Sequence, residues 1–442
     1  MYFTDFFPFF LIATWYALRG PYQWAATTAF LAFFQAASPI LFAVGGRAIG
    51  LAPAYCLVPI ALILIIKDRQ RIPEAMQRKG VPLEIWLLLY FCILVAGGAY
   101  LLPRVFQGYV TVLPSRGGLD SGFAVPLKPS STNAIQAVYM AFNLLLVLLP
   151  WIFAKRQYKI DKAILFGIAA GSVFSGVLGF YQIIGFQFGL PWPSNIINSN
   201  LGVMQLEEQT MIGMRRMSAT FLEPSMLSLH FLAAFGLLML GKRRLALGLF
   251  SLTVLIFSTS TTAYVGLGLL IVAWILLNLK HIDADLLKLA FPIFIAVLLA
   301  IAADYFYTDG EYVQRLLVKK FEGGSGEVRL NADALAWRSL VDSYGMGVGV
   351  GSLRASSLIA TLTASVGIPT MIVFVLFVGA VLYKTYSLKT DDSRGFFYCL
   401  VGVLVAWAIA IPDWTLPIFW LTCGAAVSHR ILVESDRRNL PT

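Results

Sequence analysis

The sequence predicts an all-α fold, a polytopic transmembrane helix bundle of twelve or thirteen spans. Three observations predict it. Of its 442 residues 59% are hydrophobic and only 13% are charged, whereas a soluble domain carries about a quarter of its residues as Asp, Glu, Lys and Arg. Apolar runs such as 61–66, 87–100, 144–154 and 371–382 recur along the whole length and join into segments of roughly 17–25 residues, the length that crosses a bilayer. No stretch is long, polar and aperiodic enough to form a separate soluble unit. Residues 1–442 therefore read as one integral membrane domain, with a long loop, 307–352, inserted between spans.

In order, the apolar segments fall near 24–42, 50–66, 81–102, 133–154, 163–189, 221–241, 245–258, 262–279, 289–306, 360–383, 395–411 and 414–430. Residues 6–18 are apolar but short, a length that suits an interfacial helix as well as a span. If they lie in the interface the bundle has twelve helices, the preferred count; if they cross, it has thirteen. No small-residue cleavage site follows this segment, so it does not read as a signal peptide.

The loops alternate in character. Arg19, the run Lys67 to Lys79, Lys155 to Lys162, Lys242 to Arg244, Lys280 and Lys288, Lys384 to Arg394 and the tail from Arg430 hold most of the 33 Lys and Arg residues. Short basic loops face the cytoplasm. The loops 103–132, 190–220 and 307–352 are longer, richer in Gly, Pro, Ser and Asn, and fall on the opposite, non-cytoplasmic side. The net charge of +10 thus reports orientation rather than a nucleic-acid surface. Cys56, Cys92, Cys399 and Cys423 all lie in apolar segments, where cysteine behaves as a small hydrophobe, and neither a disulfide nor a metal site is expected.

A bundle of this size is most often a transporter, and ion-coupled transport needs ionisable groups near the bilayer midplane. Glu84, Asp304 and Asp413 read as span-end residues, which leaves His230 as the clear mid-span titratable group. Polar residues gather instead in 204–230 and 309–354, which favours a site at one membrane face. In the first segment Arg215 and Arg216 close a hydrophilic loop and Glu223-Pro224 opens a helix: proline suits the first turn, and a carboxylate is stabilised at the positive pole. The plainer alternative is an interfacial anchor of snorkelling arginines. His230 lies two turns beyond Glu223 on the same face, placed either to enter the same cavity or, the stronger reading, to pack as a structural histidine.

The second segment has helical periodicity from Leu330 to Tyr344. Leu330, Ala334, Trp337 and Val341 form an apolar stripe, Asn331, Arg338 and Asp342 another face, and Gly345 is a stop. The pattern predicts an amphipathic helix on the outer membrane surface, with Arg338 and Asp342 paired at i,i+4. Two other motifs carry little. Gly347-Val-Gly-Val-Gly lacks the strand–helix context of a nucleotide loop, and Asp283-Ala-Asp285 sits in a short turn with no domain around it.

The order of "RRMSATFLEPS", a Ser/Thr-rich break "STSTTAY" (258–264), and "GEVRLNADALAWRSLVDSYGMGVGVGS" (326–352) before the last spans resembles the O-antigen ligase and Wzy-type polysaccharide polymerase superfamily, and more its exopolysaccharide polymerase branch. The resemblance extends over roughly 80–430. It implies a glycosyltransferase acting without metal or cofactor on oligosaccharides linked to undecaprenyl diphosphate at the periplasmic face, in company with a flippase and a chain-length regulator. Ligases carry a histidine after the glycine-rich turn; here 353–358 has none, and Thr261 and Thr262 stand where relatives often have arginine. Both departures favour polymerase over ligase.

Such a reaction expels a diphosphate, and fixed guanidinium groups stabilise the growing charge through forked donors. Arg216 and Arg338 are the catalytic candidates of this type, with Arg215, Arg329 and Arg354 as substrate-binding groups. A carboxylate orients or deprotonates the acceptor hydroxyl; Glu223 is the first candidate and Glu327 the second. His230, Trp337 and Tyr344 complete the substrate-binding set, the aromatics, with Trp192 as a further one, by stacking on sugar rings. A ligase to a lipid or protein acceptor and a lipid-linked saccharide transporter or flippase are the competing readings.

Overall fold

The computed structural model describes residues 1–44, 47–68, 80–114, 123–203, 205, 210–211, 214–242, 244–278, 305 and 325–439. Strand β1 (Tyr2–Phe3) and helices α1 (Phe7–Ala17) and α2 (Pro21–Leu31) precede a hairpin of β2 (Ile40–Val44) and β3 (Arg47–Gly50); β1 pairs antiparallel with β2, Tyr2 opposite Leu41. Then come α3 (Pro53–Cys56), α4 (Val58–Lys67), α5 (Leu83–Val105), the pair β4 (Thr111–Val112) and β5 (Val125–Pro126), α6 (Ser131–Lys155), α7 (Ile160–Phe188) and α8 (Ser194–Ile197). A second small pair, β6 (Thr210–Met211) with β7 (Met214–Arg215), leads to α9 (Pro224–Gly241), whose last turn is π-helical. The chain continues through α10 (Leu245–Phe257), α11 (Thr261–Asn278), α12 (Ser325–Asp342), α13 (Leu358–Ser387), α14 (Asp391–Ile409) and α15 (Pro417–Asn439).

Among the described residues seven helices are long and apolar enough to cross a membrane: α5, α6, α7, α9, α11, α13 and α14. This is a multi-pass membrane protein. The starts are written locally. Pro224 occupies the first turn of α9, and Ser130 with Asn133 forms a reciprocal cap on α6. Helices α9 and α14 pack backbone to backbone through small residues: a β-carbon on Gly236 would stand 2.3 Å from the Tyr398 carbonyl oxygen.

Charge marks one end of the bundle. There the N-termini of α5, α7 and α14 meet the C-terminal portions of α4, α6, α9, α13 and α15. Glu84, fully buried, pairs with Lys384 (2.6 Å) and Arg430; Asp392 bridges Lys162 and Lys242; Asp68 pairs with Arg156 (3.0 Å). His429 joins the Asp161 carboxylate (2.7 Å) to the Thr390 hydroxyl (2.7 Å). The opposite, or far, end holds the C-termini of α5, α7 and α14 and the N-termini of α6, α9, α11 and α13.

Several sequence expectations change. The segment 24–42 is not one span: the helix stops at Leu31, 32–39 is irregular, and Ile40–Val44 enters the hairpin. Segment 50–66 is two short helices rather than one. At 11 residues α1 is about 16 Å long, short of the roughly 30 Å hydrocarbon core. Asp413 is not at a span end, because the connection 410–416 dips into the bundle. Tyr55 of α3 bonds both the Thr415 carbonyl and Asn143, and Asn143 lies midway along α6, about 18 Å from either end. The expected span 289–306, the basic residues from Arg69 to Lys79, Asp304 and the portion 307–324 of the long loop, save Tyr305 beside it, lie outside the described residues.

The surface helix exists, but it packs by a different face. Ala332, Ala336, Ser339, Leu340 and Ser343 are buried, whereas the expected stripe of Leu330, Ala334, Trp337 and Val341 is exposed. Small residues let α12 lie close on β4 and α13, and the Ser339 hydroxyl bonds the Thr111 carbonyl (2.8 Å). Arg338 and Asp342 form the i,i+4 pair at 3.9 Å.

Replacing Glu84 by Ala leaves two cations facing each other in a buried place. Its cost is expected to be about 3 kcal/mol, the typical loss on breaking a buried pair, read from unfolding of the detergent-solubilised protein. Arg338→Ala, whose side chain is 79% exposed, is the reference and leaves stability unchanged; equal behaviour of the two variants would remove the clamp.

Candidate functional site

The far-end half of the bundle contains irregular backbone at membrane depth, and that backbone builds the site. Residues 217–221 are fully buried yet non-helical, with Ala219 at φ +49°. Their polar groups are satisfied by side chains of the neighbouring span α7. The Gln182 side-chain oxygen accepts from the amides of Ser218 and Ala219, both at 2.9 Å, and its amide nitrogen donates to the Ser218 hydroxyl (3.0 Å). The Thr220 hydroxyl meets Ser175 Oγ (2.7 Å) and the Phe33 carbonyl (2.5 Å), and the Ala36 amide donates to the Thr220 carbonyl (3.0 Å). Ser175 is near the middle of α7, so this junction lies inside the bundle. Unmet backbone groups in hydrocarbon cost several kcal/mol each, which is why the loop and the polar face of α7 occur together.

This scaffold fixes the first predicted set. Arg216 is half-buried: its Nε donates to Thr259 Oγ1 (3.2 Å) and Nη2 to the Thr259 carbonyl (3.2 Å). Thr259, itself at φ +49°, forms the break between α10 and α11, and Ser258 Oγ accepts from Ser228 Oγ (3.2 Å) on α9. Two motif segments, "RRMSATFLEPS" and "STSTTAY", are thus joined in space. The Arg215 guanidinium lies 5.8 Å from the Phe186 ring. Glu223 holds the N-cap position of α9, and its half-buried carboxylate accepts from the Ser225 hydroxyl rather than from the helix amides; no basic side chain among the described residues pairs with it. His230 is fully buried, its Nδ1 on the Met226 carbonyl (2.9 Å) and its ring against Phe221 and Phe33 at 4.5 and 5.5 Å. It is packed between rings rather than open to a cavity.

The second set is elsewhere. Glu327, Arg329, Trp337 and Arg338 are exposed on α12; Tyr344 is 89% exposed and stands at φ +53° just past its end. Arg354 is exposed beyond the glycine-rich ribbon. No hydrogen bond or ion pair between described residues joins this set to Arg216 or Glu223. The ribbon's composition has a steric cause. Gly347, Gly349 and Gly351 take φ +83°, +85° and +82°, and β-carbons there would stand 2.5 Å from the Gly367 nitrogen, 2.7 Å from the Pro103 ring and 2.6 Å from the Thr132 carbonyl. The ribbon seats α12 against the ends of α5, α6 and a kinked α13. Asp333 completes the seat by accepting from the amides of Ser356 (2.7 Å) and Ser357 (3.2 Å).

Beside the irregular segments opens a cleft of about 930 Å³, lined by Tyr2, Asp5, Ser194, Asn195 and Asn198 among others. Its wall is a network of amides: Trp192 Nε1 donates to Asn198 (2.9 Å), and Gln205 bonds the carbonyls of Asn198 and Asn200 (2.9 Å each). Sequence reasoning missed Gln182, Thr259 and the Asn198, Asn200 and Gln205 part of this wall, but named its Trp192. Ser172, Ser175 and Gln182 do share one face of an apolar helix, a signal that was readable.

No protein-family model matches the chain, and no curated protein matches it.

Gln182→Leu removes the acceptor for two buried amides, so residues 217–221 lose their anchor. Faster hydrogen exchange in that segment is expected, measured by mass spectrometry, with α13 unchanged as the internal control; unaltered exchange would show the loop to be held by other contacts.

Proposed function

We propose that the protein is a polysaccharide polymerase, a membrane glycosyltransferase joining undecaprenyl-diphosphate-linked oligosaccharide units on the periplasmic side of the inner membrane. The observation that carries the reading is Arg216: a guanidinium held half-buried by Thr259, on the same non-helical segment as a carboxylate, Glu223, that has no basic partner among the described residues. A fixed cation inside an apolar frame suits a departing diphosphate, since its charge is worth more there than in water and needs no reorganisation. Glu223, at the positive pole of α9, is placed to accept a proton from an acceptor hydroxyl. The basic end of the bundle lies in the cytoplasm by the positive-inside rule, which turns Arg216, Glu223 and α12 to the periplasm. Arg329, Arg338 and Arg354 are a solvent-facing set suited to gathering the anionic donor, with Trp337 and Tyr344 offering faces for sugar rings. Transfer breaks the glycosidic bond to the diphosphate and forms one to the acceptor oxygen, whose proton passes to the carboxylate.

One observation favours a second reading. Asp413 lies at mid-depth, where ionisable residues mark transport pathways, and this supports a transporter or flippase of lipid-linked saccharide. The two differ in chemistry: a transporter leaves the lipid diphosphate bond intact.

Purified protein given the lipid-linked oligosaccharide is expected to release free undecaprenyl diphosphate, and Arg216→Ala to slow that release by about 100-fold or more, the usual cost of one charge-stabilising donor. Glu223→Gln is expected to slow it by about 100-fold at least. Intact substrate after incubation with wild type would eliminate glycosyl transfer.

A further inference from the structure

The carboxylates buried at the basic end are all matched: Glu84, Asp161, Asp392 and Asp68 each face a lysine, arginine or histidine. Asp413 is different. Its Oδ1 accepts from the amide (2.8 Å) and hydroxyl (2.6 Å) of Thr415, and no basic side chain among the described residues pairs with it. It is half-buried in the dip 410–416, at the level of mid-α6, with the neighbouring Trp414 ring 6.4 Å from Phe91 of α5.

The groups around it are short of protons. The Tyr55 phenol, fully buried, lies between the Asn143 side-chain oxygen (2.6 Å) and the Thr415 carbonyl. A phenol has one proton and cannot donate to both. Asn143 is fully buried, and its amide nitrogen has no partner. Turning the amide by half a revolution, which exchanges nearly identical atoms, resolves both conflicts. The nitrogen then donates to the phenol oxygen, and the phenol proton goes to Thr415. What remains is an orphan amide oxygen beside the phenol, in company with the Asp413 carboxylate. Helix α14 ends at Ile409, so the negative pole of its dipole lies next to the same dip.

Carboxylate, amide oxygen, phenol oxygen and helix pole all favour positive charge, and no basic side chain among the described residues supplies it. Unwound backbone at mid-membrane with oxygen ligands is the setting in which membrane proteins hold small cations. One carboxylate matches one positive charge; divalent sites gather more. From this geometry we infer that Asp413, Asn143 and Tyr55 form an intramembrane binding site for a small monovalent cation of the Na⁺ class. The inference rests on neither functional reading, because it concerns occupancy and not turnover.

The test uses the full chain in detergent, with sodium chloride against choline chloride at equal ionic strength. Sodium is expected to raise the unfolding temperature of the wild type by a few degrees, since a ligand that binds only the folded state stabilises it. Asp413→Asn is expected to lose that shift. Radiolabelled sodium should bind the wild type at close to one per chain and be displaced by unlabelled sodium but not by choline, a measurement that needs no variant. Equal unfolding temperatures in the two salts, no displaceable sodium on the wild type, or an undiminished shift in Asp413→Asn would each overturn the site.

Discussion

Backbone that leaves the helix inside a membrane must find every hydrogen-bond partner within the protein, and this requirement organises the far-end half of the molecule. Water is absent there, so an unmet amide or carbonyl costs several kcal/mol. The chain departs from helix at 32–39, 217–223 and 410–416, and each departure is answered by a side chain from elsewhere in the fold. Gln182 serves the amides of Ser218 and Ala219, Thr220 serves Phe33, and the phenol of Tyr55 serves Thr415. Polar residues in the spans are therefore paired with breaks, and the breaks give the chain a way to bring arginine and carboxylate below the surface.

The basic end supplies the stiffness that such breaks need. Three carboxylates at helix N-termini, Glu84, Asp161 and Asp392, are each tied to cationic or imidazole groups from other helices. Each acid also sits at the positive pole of its own helix, so dipole and ion pair act in the same direction. Removing one partner strands a charge, and so the ring resists rearrangement even though its net contribution to stability is modest. Rigidity at one end and irregularity at the other is a division of labour that a site on one membrane face would use.

Much of this was legible in the residues. The extents of the seven long apolar helices, though not the expected twelve or thirteen spans, the Pro224 start, the Arg338–Asp342 pair and the helix α12 follow from local pattern. Hydropathy failed where polar and apolar residues were both buried. In 24–42 the run stays apolar after the helix has ended, because 32–39 is enclosed by protein and needs no polar composition. Asp413 looked like a terminus because Pro412 precedes it and Pro417 opens the next helix; only the Tyr55 bridge from Thr415 to Asn143 in mid-α6 shows the dip. The stripe on α12 misled for another reason. Periodicity finds the apolar face, but close packing chose the small one, Ala332, Ala336 and Ser339, since those residues admit the neighbouring backbone.

The candidate site was half legible on the same grounds. Arg216 and Glu223 were found from the charge and capping chemistry that the chain order displays. Thr259, the anchor of Arg216, is far along the chain and chemically ordinary, so nothing local marks it. The two arginine-bearing regions also differ physically. Arg216 is immobilised in an apolar frame, where a fixed charge acts strongly on a reacting group, whereas Arg338 extends into the open, where screening limits it to attraction at longer range. That difference divides the work expected of them: capture at α12, charge stabilisation at the buried segment. On the proposed reading the reacting bond lies within reach of the guanidinium held by Thr259 rather than on the exposed face of the surface helix.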